Sequence, residues 1–407
     1  MKDKIKEKYP DVGYHDELEY VYMFDSDYDL DKSSRLSKKI FVSIPCYRDT
    51  EIVNTVKSLY ANAKNPDRVF VGIGLIYKES DDKFWKELEE FPNVKIDAKI
   101  ASSDVVGLGL QRESSNSFYN KEDYFLQIDA HSKFDIYWDD LLIHQLENLK
   151  VLGDPKPVIT GYPRPFAPDQ IKSVPGMYPY LNPLTKELYF RSTSDNAIPC
   201  FRKGIDPIKF FQRSGFPRHG DRSFYKGETL ALCTTISPGQ IFADGKYIKD
   251  VPANPDIRFL EEEQYYAILT YMKGYNCYTP RVTGILHLYI SVGENLIANR
   301  PHPIDDFPNA FDFQSYDEDA LGGLDVFKKL QAIKNTPRSF SDYEKFAGVD
   351  YAKRKLPSPV DGLVQNKITA AVNFISELNL YADTDYSQWM YNPSYEFYND
   401  VKRNENI

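Results

Sequence analysis

The chain has 407 residues, of which 42% are hydrophobic and 27% charged, with a formal net charge of −10. This is ordinary globular composition for one large domain or two modest ones. No stretch holds the roughly 20 apolar residues that span a bilayer, the start MKDKIKEKYPDVGYHDELEY does not read as a signal peptide, and the acidic total speaks against a general affinity for phosphate backbones.

Residues 1–38 are acidic, rich in tyrosine and without clear periodicity, and are expected to form an N-terminal extension. A strand–helix alternation then begins. KIFVSIPCY (39–47) has the continuous apolar run of a buried strand. Asp49 can cap a helix starting at Thr50, whose Ile52, Val53, Val56, Leu59, Tyr60 and Ala63 share one face. RVFVGIGLIY (68–77) and VKIDAKIA (94–101) read as strands, LQRESSNSFYN (110–120) as a helix and DYFLQID (123–129) as a fourth strand. WDDLLIHQLENL (138–149) reads as a helix and PVITGY (157–162) as a fifth strand. Such alternation predicts an α/β fold with a mostly parallel central sheet covered on both faces, and ligands beyond the carboxyl ends of its strands.

Beyond residue 165 the alternation fades, and proline and glycine in 163–183 and 205–220 predict long functional loops. Between Phe201 and Gly227, Arg202, Lys203, Lys209, Arg213, Arg218, Arg222 and Lys226 face only Asp206 and Asp221, with six aromatic residues interleaved. This stretch is either a solvated loop or a surface for an anionic partner. EEEQYYAILTYMKGY (261–275) predicts one further strong helix and VTGILHLYI (282–290) a further strand. The four cysteines, Cys46, Cys200, Cys233 and Cys277, form no CxxC pair, which points to reduced thiols in a cytoplasmic setting.

The chemistry concentrates in YFLQIDAHSKF (124–134). Asp129 and His131 are an i, i+2 pair, and in extended backbone both side chains leave the same face. A carboxylate oxygen beside an imidazole nitrogen suits Mn²⁺ or a similar divalent cation whose other positions are filled by diphosphate oxygens. A capped turn followed by a surface histidine is the plainer alternative.

At these residues the sequence resembles the metal-dependent glycosyltransferases of the GT-A fold. The likeness is greatest to family 60, the cytoplasmic polypeptide N-acetylglucosaminyltransferases that modify hydroxyproline. VSIPCYRD (42–49), GLGLQR (107–112) with DYFLQIDAHSKF, TISPGQIFADGKYIKDVPANPDIRFLEEEQYYA (235–267) and TPRVTGILHLY (279–289) carry it in order, with RSFSDYEKFAGVDY (338–351) as a weaker block. The resemblance implies a Rossmann-like nucleotide-sugar-binding core at 39–305, between the extension 1–38 and a C-terminal appendage at 306–407. It implies Asp129, His131 and His287 as metal ligands, with Mn²⁺ or else Mg²⁺. It implies Arg48 and Arg112 facing the nucleotide and diphosphate, and Pro45 and Tyr47 shaping the base pocket. Glu262 and Glu263 fall on the family's paired acids, one of which orients the acceptor hydroxyl. Negative charge also stabilises a helix start in any protein. The sequence departs from the family at Glu261, where glycine is usual, and at Asn254, where aspartate is usual; both changes bear on sugar and acceptor rather than on the metal. The activity implied is retaining transfer of a sugar, GlcNAc-like, from a UDP-sugar to a hydroxyl on a polypeptide. The alternatives are a phage-type enzyme acting on a hydroxymethylated DNA base through the 201–227 stretch, and a non-catalytic nucleotide-sugar or carbohydrate-binding protein.

Overall fold

The structure is a computed structural model. It describes residues 37–354 except 152–153, 169–176, 183, 193–195, 202–218, 226–230, 260, 281–283, 293–294, 297, 299 and 309–321. The expected extension up to residue 36, most of the basic 201–227 stretch and everything from 355 onward lie outside the described residues.

β1 (Ile40–Tyr47) is buried along its whole length, as its apolar run requires. α1 (Glu51–Asn62) follows, and turns Ile52, Val53, Val56 and Leu59 onto the sheet. β2 (Val69–Tyr77) pairs in parallel with β1 and with β3 (Val94–Ile100). α2 (Leu108–Asn116) then crosses directly over β2. It can lie that close because position 74 is glycine: a Cβ there would stand 2.2 Å from the carbonyl oxygen of Gln111. β4 (Tyr124–Ile128) returns beside β1, parallel to it.

β5 (Ser132–Phe134) leaves β4 after a three-residue turn and begins a second sheet. α3 (Trp138–Val151) packs beneath, with Trp138 fully buried, a burial that contributes about 1.5–3 kcal/mol for a large apolar side chain. β6 (Pro157–Thr160) rejoins the central sheet. The region where alternation fades holds strands rather than bare loops: β7 (Arg164–Pro168), β8 (Met177–Leu181) and β9 (Leu188–Ser192) extend the second sheet, while β10 (Asn196–Phe201) and β11 (His219–Tyr225) form a hairpin pair. Prolines inside RPFAP and MYPYL obscured β7 and β8, because proline argues against a strand wherever the ladder needs its N–H.

β12 (Ala231–Cys233) and β13 (Gln240–Asp244) return to the central sheet, followed by α4 (Tyr247–Asp250), α5 (Glu262–Met272) and β14 (Asn276–Thr279). The strand order is β12-β14-β6-β13-β4-β1-β2-β3. β1, β2, β3, β4, β6 and β14 run one way; β13 and β12 run against them. This is the mostly parallel α/β sheet expected. β15 (Ile285–His287) is shorter than the strand expected over 282–290 and belongs to the second sheet, antiparallel to β5 and parallel to β7.

α6 (Pro303–Asp306) spans the boundary expected after residue 305. α7 (Gly322–Ala332) and α8 (Phe340–Ala347) contribute Val326, Phe327, Leu330, Phe340 and Tyr343 to the same core cluster as α5. The described part of 306–354 is therefore packed into the body. Among the described residues no helix is long and apolar enough to cross a membrane.

Candidate metal and donor site

The central sheet ends where the D-x-H motif begins. Ile128 closes β4, Asp129 and His131 occupy the turn, and Ser132 opens β5. Thr55 of α1 fixes this turn by accepting from Ser132 N–H (2.9 Å) and donating to the Ala130 carbonyl (2.7 Å). The register of β15 against β5 sets His287 opposite Ser132, and Leu288 N–H donates to the His131 carbonyl at 2.9 Å. Three residues drawn from two regions of the chain thus meet. One donor atom from each of Asp129, His131 and His287 lies within 4.8 Å of the others. His287 Nε2 is 3.3 Å from Asp129 Oδ2, and the two imidazoles stand edge to face with centroids 4.5 Å apart.

The donor set fits a divalent cation, with one carboxylate oxygen and two borderline nitrogens; among the described residues His287 Nδ1 is buried with no partner. Burial, followed by the neighbouring His131, lowers the His287 pKa to about 4, so its ring is neutral at pH 7 and carries a lone pair. Burial works to raise the Asp129 carboxyl, but the His287 bond and the charge of Arg112 hold it well below the usual carboxylate range.

Arg112 does not present a free fork to a diphosphate. It is fully buried, and its donors go to Glu262 Oε1 (3.0 Å), the Ile128 carbonyl (2.6 Å), Asp129 Oδ1 (3.0 Å) and the Pro238 carbonyl (3.3 Å). α2 delivers it under the sheet edge, where it clamps Asp129 from behind. On the other side of Asp129 stands Gly239, where a Cβ would come within 2.9 Å of Asp129 Oδ2.

The paired acids separate. Glu262 is buried against Arg112, with burial pushing its carboxyl up and Arg112 opposing. Glu263 is half-buried and accepts from Tyr162 Oη at 2.5 Å. Glu261, the departure from the family pattern, accepts from the backbone N–H of Arg258 at 2.7 Å and so shapes the turn into α5.

The expected base-pocket residues are covered by protein. Pro45 is buried within β1, and Tyr47 is 8% exposed, packing with Ile76, Val106, Ile304 and Phe307. Arg48, at a positive φ of 52°, is gripped by Asp81 (2.7 Å) and Asp306 (2.7 Å). Asp306 also accepts from Tyr47 Oη (2.7 Å) and Lys78 Nζ. Neither arginine expected at the nucleotide has an uncommitted guanidinium.

Burial opposes ionisation of Asp306, but Lys78, Tyr47 and Arg48 bring its pKa down to about 2, against roughly 3.9 in an unfolded chain. The stability it contributes is complete above about pH 4–5 and vanishes as the pH falls toward 2. In thermal melts, Asp306→Asn lowers Tm at pH 7, by about 1–2 °C for each kcal/mol lost in a chain of this length. The gap from wild type closes between about pH 4 and pH 2. A gap independent of pH would mean that the carboxylate's charge does not matter there.

Sequence reasoning missed Asp49 as a partner of His131. It also missed Arg300, whose Nε lies 3.9 Å from Asp49 Oδ2, and the Pro238–Gly239 wall. Only Asp49 carries a signal, as the last residue of VSIPCYRD; it reads as a helix cap, and its Oδ1 does accept from Glu51 N–H, although Thr50 holds the cap position.

The family described as "GlcNAc: Glycosyltransferase (GlcNAc)" matches residues 39–89 and 83–296, more than half of the chain. A search of curated proteins found no match. Among solved structures, GalNAc-T7 crystallised with UDP, GalNAc and Mn²⁺ is similar at 12% identity and a TM-score of 0.43, over 88% of this chain and 57% of that one. The chain therefore spans less than two thirds of that structure. S. aureus TarS 1–349 is similar at 12% identity and a TM-score of 0.38, over 90% and 92% of the two chains. Its complex with UDP-GlcNAc gives 13% identity, the same TM-score of 0.38 and the same coverage.

Proposed function

The chain belongs to the GlcNAc glycosyltransferase family, and from that premise we propose that it transfers a GlcNAc-like sugar from a UDP-sugar to a hydroxyl, with Asp129, His131 and His287 holding a divalent cation, Mn²⁺ by preference. The observation that carries this reading is the meeting of His287 with Asp129 across 158 residues of sequence. The family's description and the resemblance to the family 60 enzymes support the donor. When bound, the cation offsets the negative charge that develops on the leaving diphosphate.

The chain's own residues prepare that site. Arg112 fixes the Asp129 carboxylate and is itself anchored on the Pro238 carbonyl, with Glu262 behind it as its buried counter-charge. That gives Glu262 a supporting role and leaves Glu263 as the acid of the pair that faces the acceptor. Arg300 brings positive charge to the same cluster, within reach of Asp49. Retention of anomeric configuration, as in family 60, lets the departing diphosphate oxygen take the acceptor proton on the same face. The donor's base approaches the Tyr47–Arg48 turn, so the contacts of Ile304, Phe307 and Asp306 there must yield to it. The catalytic core is 39–305, supported by the extent of the family match.

The test uses the full chain with UDP-GlcNAc, UDP-GalNAc and UDP-glucose, with Mn²⁺ or EDTA. UDP-GlcNAc is consumed with Mn²⁺ and not with EDTA, and a hydroxyproline-bearing peptide gains the sugar. A hydroxymethylcytosine DNA that gains it in place of the peptide selects the DNA acceptor. Equal turnover in EDTA overturns the metal role.

A further inference from the structure

Asp49 makes two close contacts with unlike groups, with Arg300 Nε farther off at 3.9 Å. Its Oδ1 accepts the N–H of Glu51 at 2.9 Å, at the start of α1. Its Oδ2 lies 2.8 Å from Nδ1 of His131. The residue is 6% exposed, so neither oxygen has ready water to turn to. An ionised carboxylate can only accept hydrogen bonds. The proton in the Asp49–His131 contact therefore sits on Nδ1, which in a neutral ring leaves the lone pair on Nε2. The ring has little freedom to escape this arrangement: the backbone on both sides is tied to Thr55, and the His287 ring stands edge-on at 4.5 Å.

We propose that Asp49 is the positioning residue of the Asp129–His131–His287 cluster, fixing the His131 tautomer and ring direction so that Nε2 is the nitrogen offered to the cation. This rests on the metal reading given under Proposed function. One carboxylate does two jobs: it begins the helix that braces the turn, and it selects the ligand nitrogen on that turn. Partners of this kind raise the basicity of a ligating imidazole, and their loss weakens metal affinity by about 10–100-fold.

Asp49→Asn separates the two jobs. The amide keeps a single acceptor oxygen where the carboxylate has two. If that oxygen stays with Glu51 N–H, the amide NH₂ faces His131 and demands an acceptor at Nδ1. The imidazole proton then moves to Nε2, where it blocks the lone pair. The variant keeps its helix start and reverses its histidine.

The experiment is carried out on the full chain without donor, reading His131 by two-bond ¹H–¹⁵N NMR of ¹⁵N-histidine-labelled protein, with His131→Gln as the assignment control. Mn²⁺ affinity is measured by calorimetry. Wild type shows the Nδ1–H form. Asp49→Asn shows the Nε2–H form, a Tm close to wild type, and Mn²⁺ binding weakened by about 10–100-fold. The proposal is overturned if Asp49→Asn retains the Nδ1–H form, or if it binds Mn²⁺ within twofold of wild type while His131→Gln has lost the ion. If Asp129→Ala and His131→Gln bind Mn²⁺ as wild type does, the metal reading falls and the role given to Asp49 falls with it. That pattern differs from failure of Asp49 alone.

Discussion

Asp129→Ala removes sugar transfer almost completely, with kcat/KM down by about 10³-fold or more, or roughly 4 kcal/mol of transition-state stabilisation. It also lowers the melting temperature modestly, since the stability contributed by the ionised carboxylate is lost. The two halves follow from different neighbours. Asp129 supplies the only carboxylate oxygen among the three donors, so without it two neutral imidazoles face the cation alone. Arg112, which Asp129 leaves behind, still has Ile128, Pro238 and Glu262 to bond to, so no buried charge is stranded. His287→Ala should lose activity to a similar degree. The decisive measurement is the double variant: ligands of one ion fail as a unit, so Asp129→Ala/His287→Ala is no worse than either single variant beyond a few-fold. Losses that multiply would mean that the two residues act on separate steps, and the shared cation would have to be given up.

The second large effect lies in the scaffold. Arg112→Met costs about 3–5 kcal/mol of stability, because it leaves the Glu262 carboxyl buried without its counter-charge. Chemical denaturation reads this as a lower midpoint with an unchanged slope. Converting Glu262 to leucine in the same protein replaces the buried pair by apolar volume, and such exchanges are often neutral or better. Arg112→Met/Glu262→Leu should therefore regain part of the stability, because the Ile128 and Pro238 carbonyls stay without this donor, and none of the activity, since Asp129 has still lost the donor that aims it. Recovery of activity along with stability would show that Arg112 matters to the fold alone. A double variant as unstable as the single one would show that Glu262 is not what makes the loss costly.

Much of the framework was legible because it rests on local chemistry. The unbroken apolar runs of β1 and β2 could only be buried strands, and the one-sided apolar set of α1 could only be a surface helix. The long helix after the three glutamates starts within one residue of its expected place. The D-x-H pair announced itself by standing where a strand ends. What the sequence concealed was pairing at a distance. His287 is an ordinary histidine in an apolar stretch until β15 lies against β5, and no local pattern specifies that register. Arg112 looks like a surface cation; the glycines at 72 and 74 under α2 let the helix sink far enough to bury it, and the nearer of them is 38 positions from the arginine. Burial likewise pairs Glu262 with Arg112, and nothing in EEE distinguishes it from Glu263.

β13 runs against its neighbours, so the chain enters it, rather than leaves it, at the edge where Asp129 stands. What stands beside the carboxylate there is bare main chain: a residue with no side chain at 239, after a carbonyl at 238 that accepts from Arg112. Any larger residue at 239 would collide with Asp129. Position 239 is thus closed to variation by the very carboxylate it borders, and change on this flank is left to residues farther along the chain.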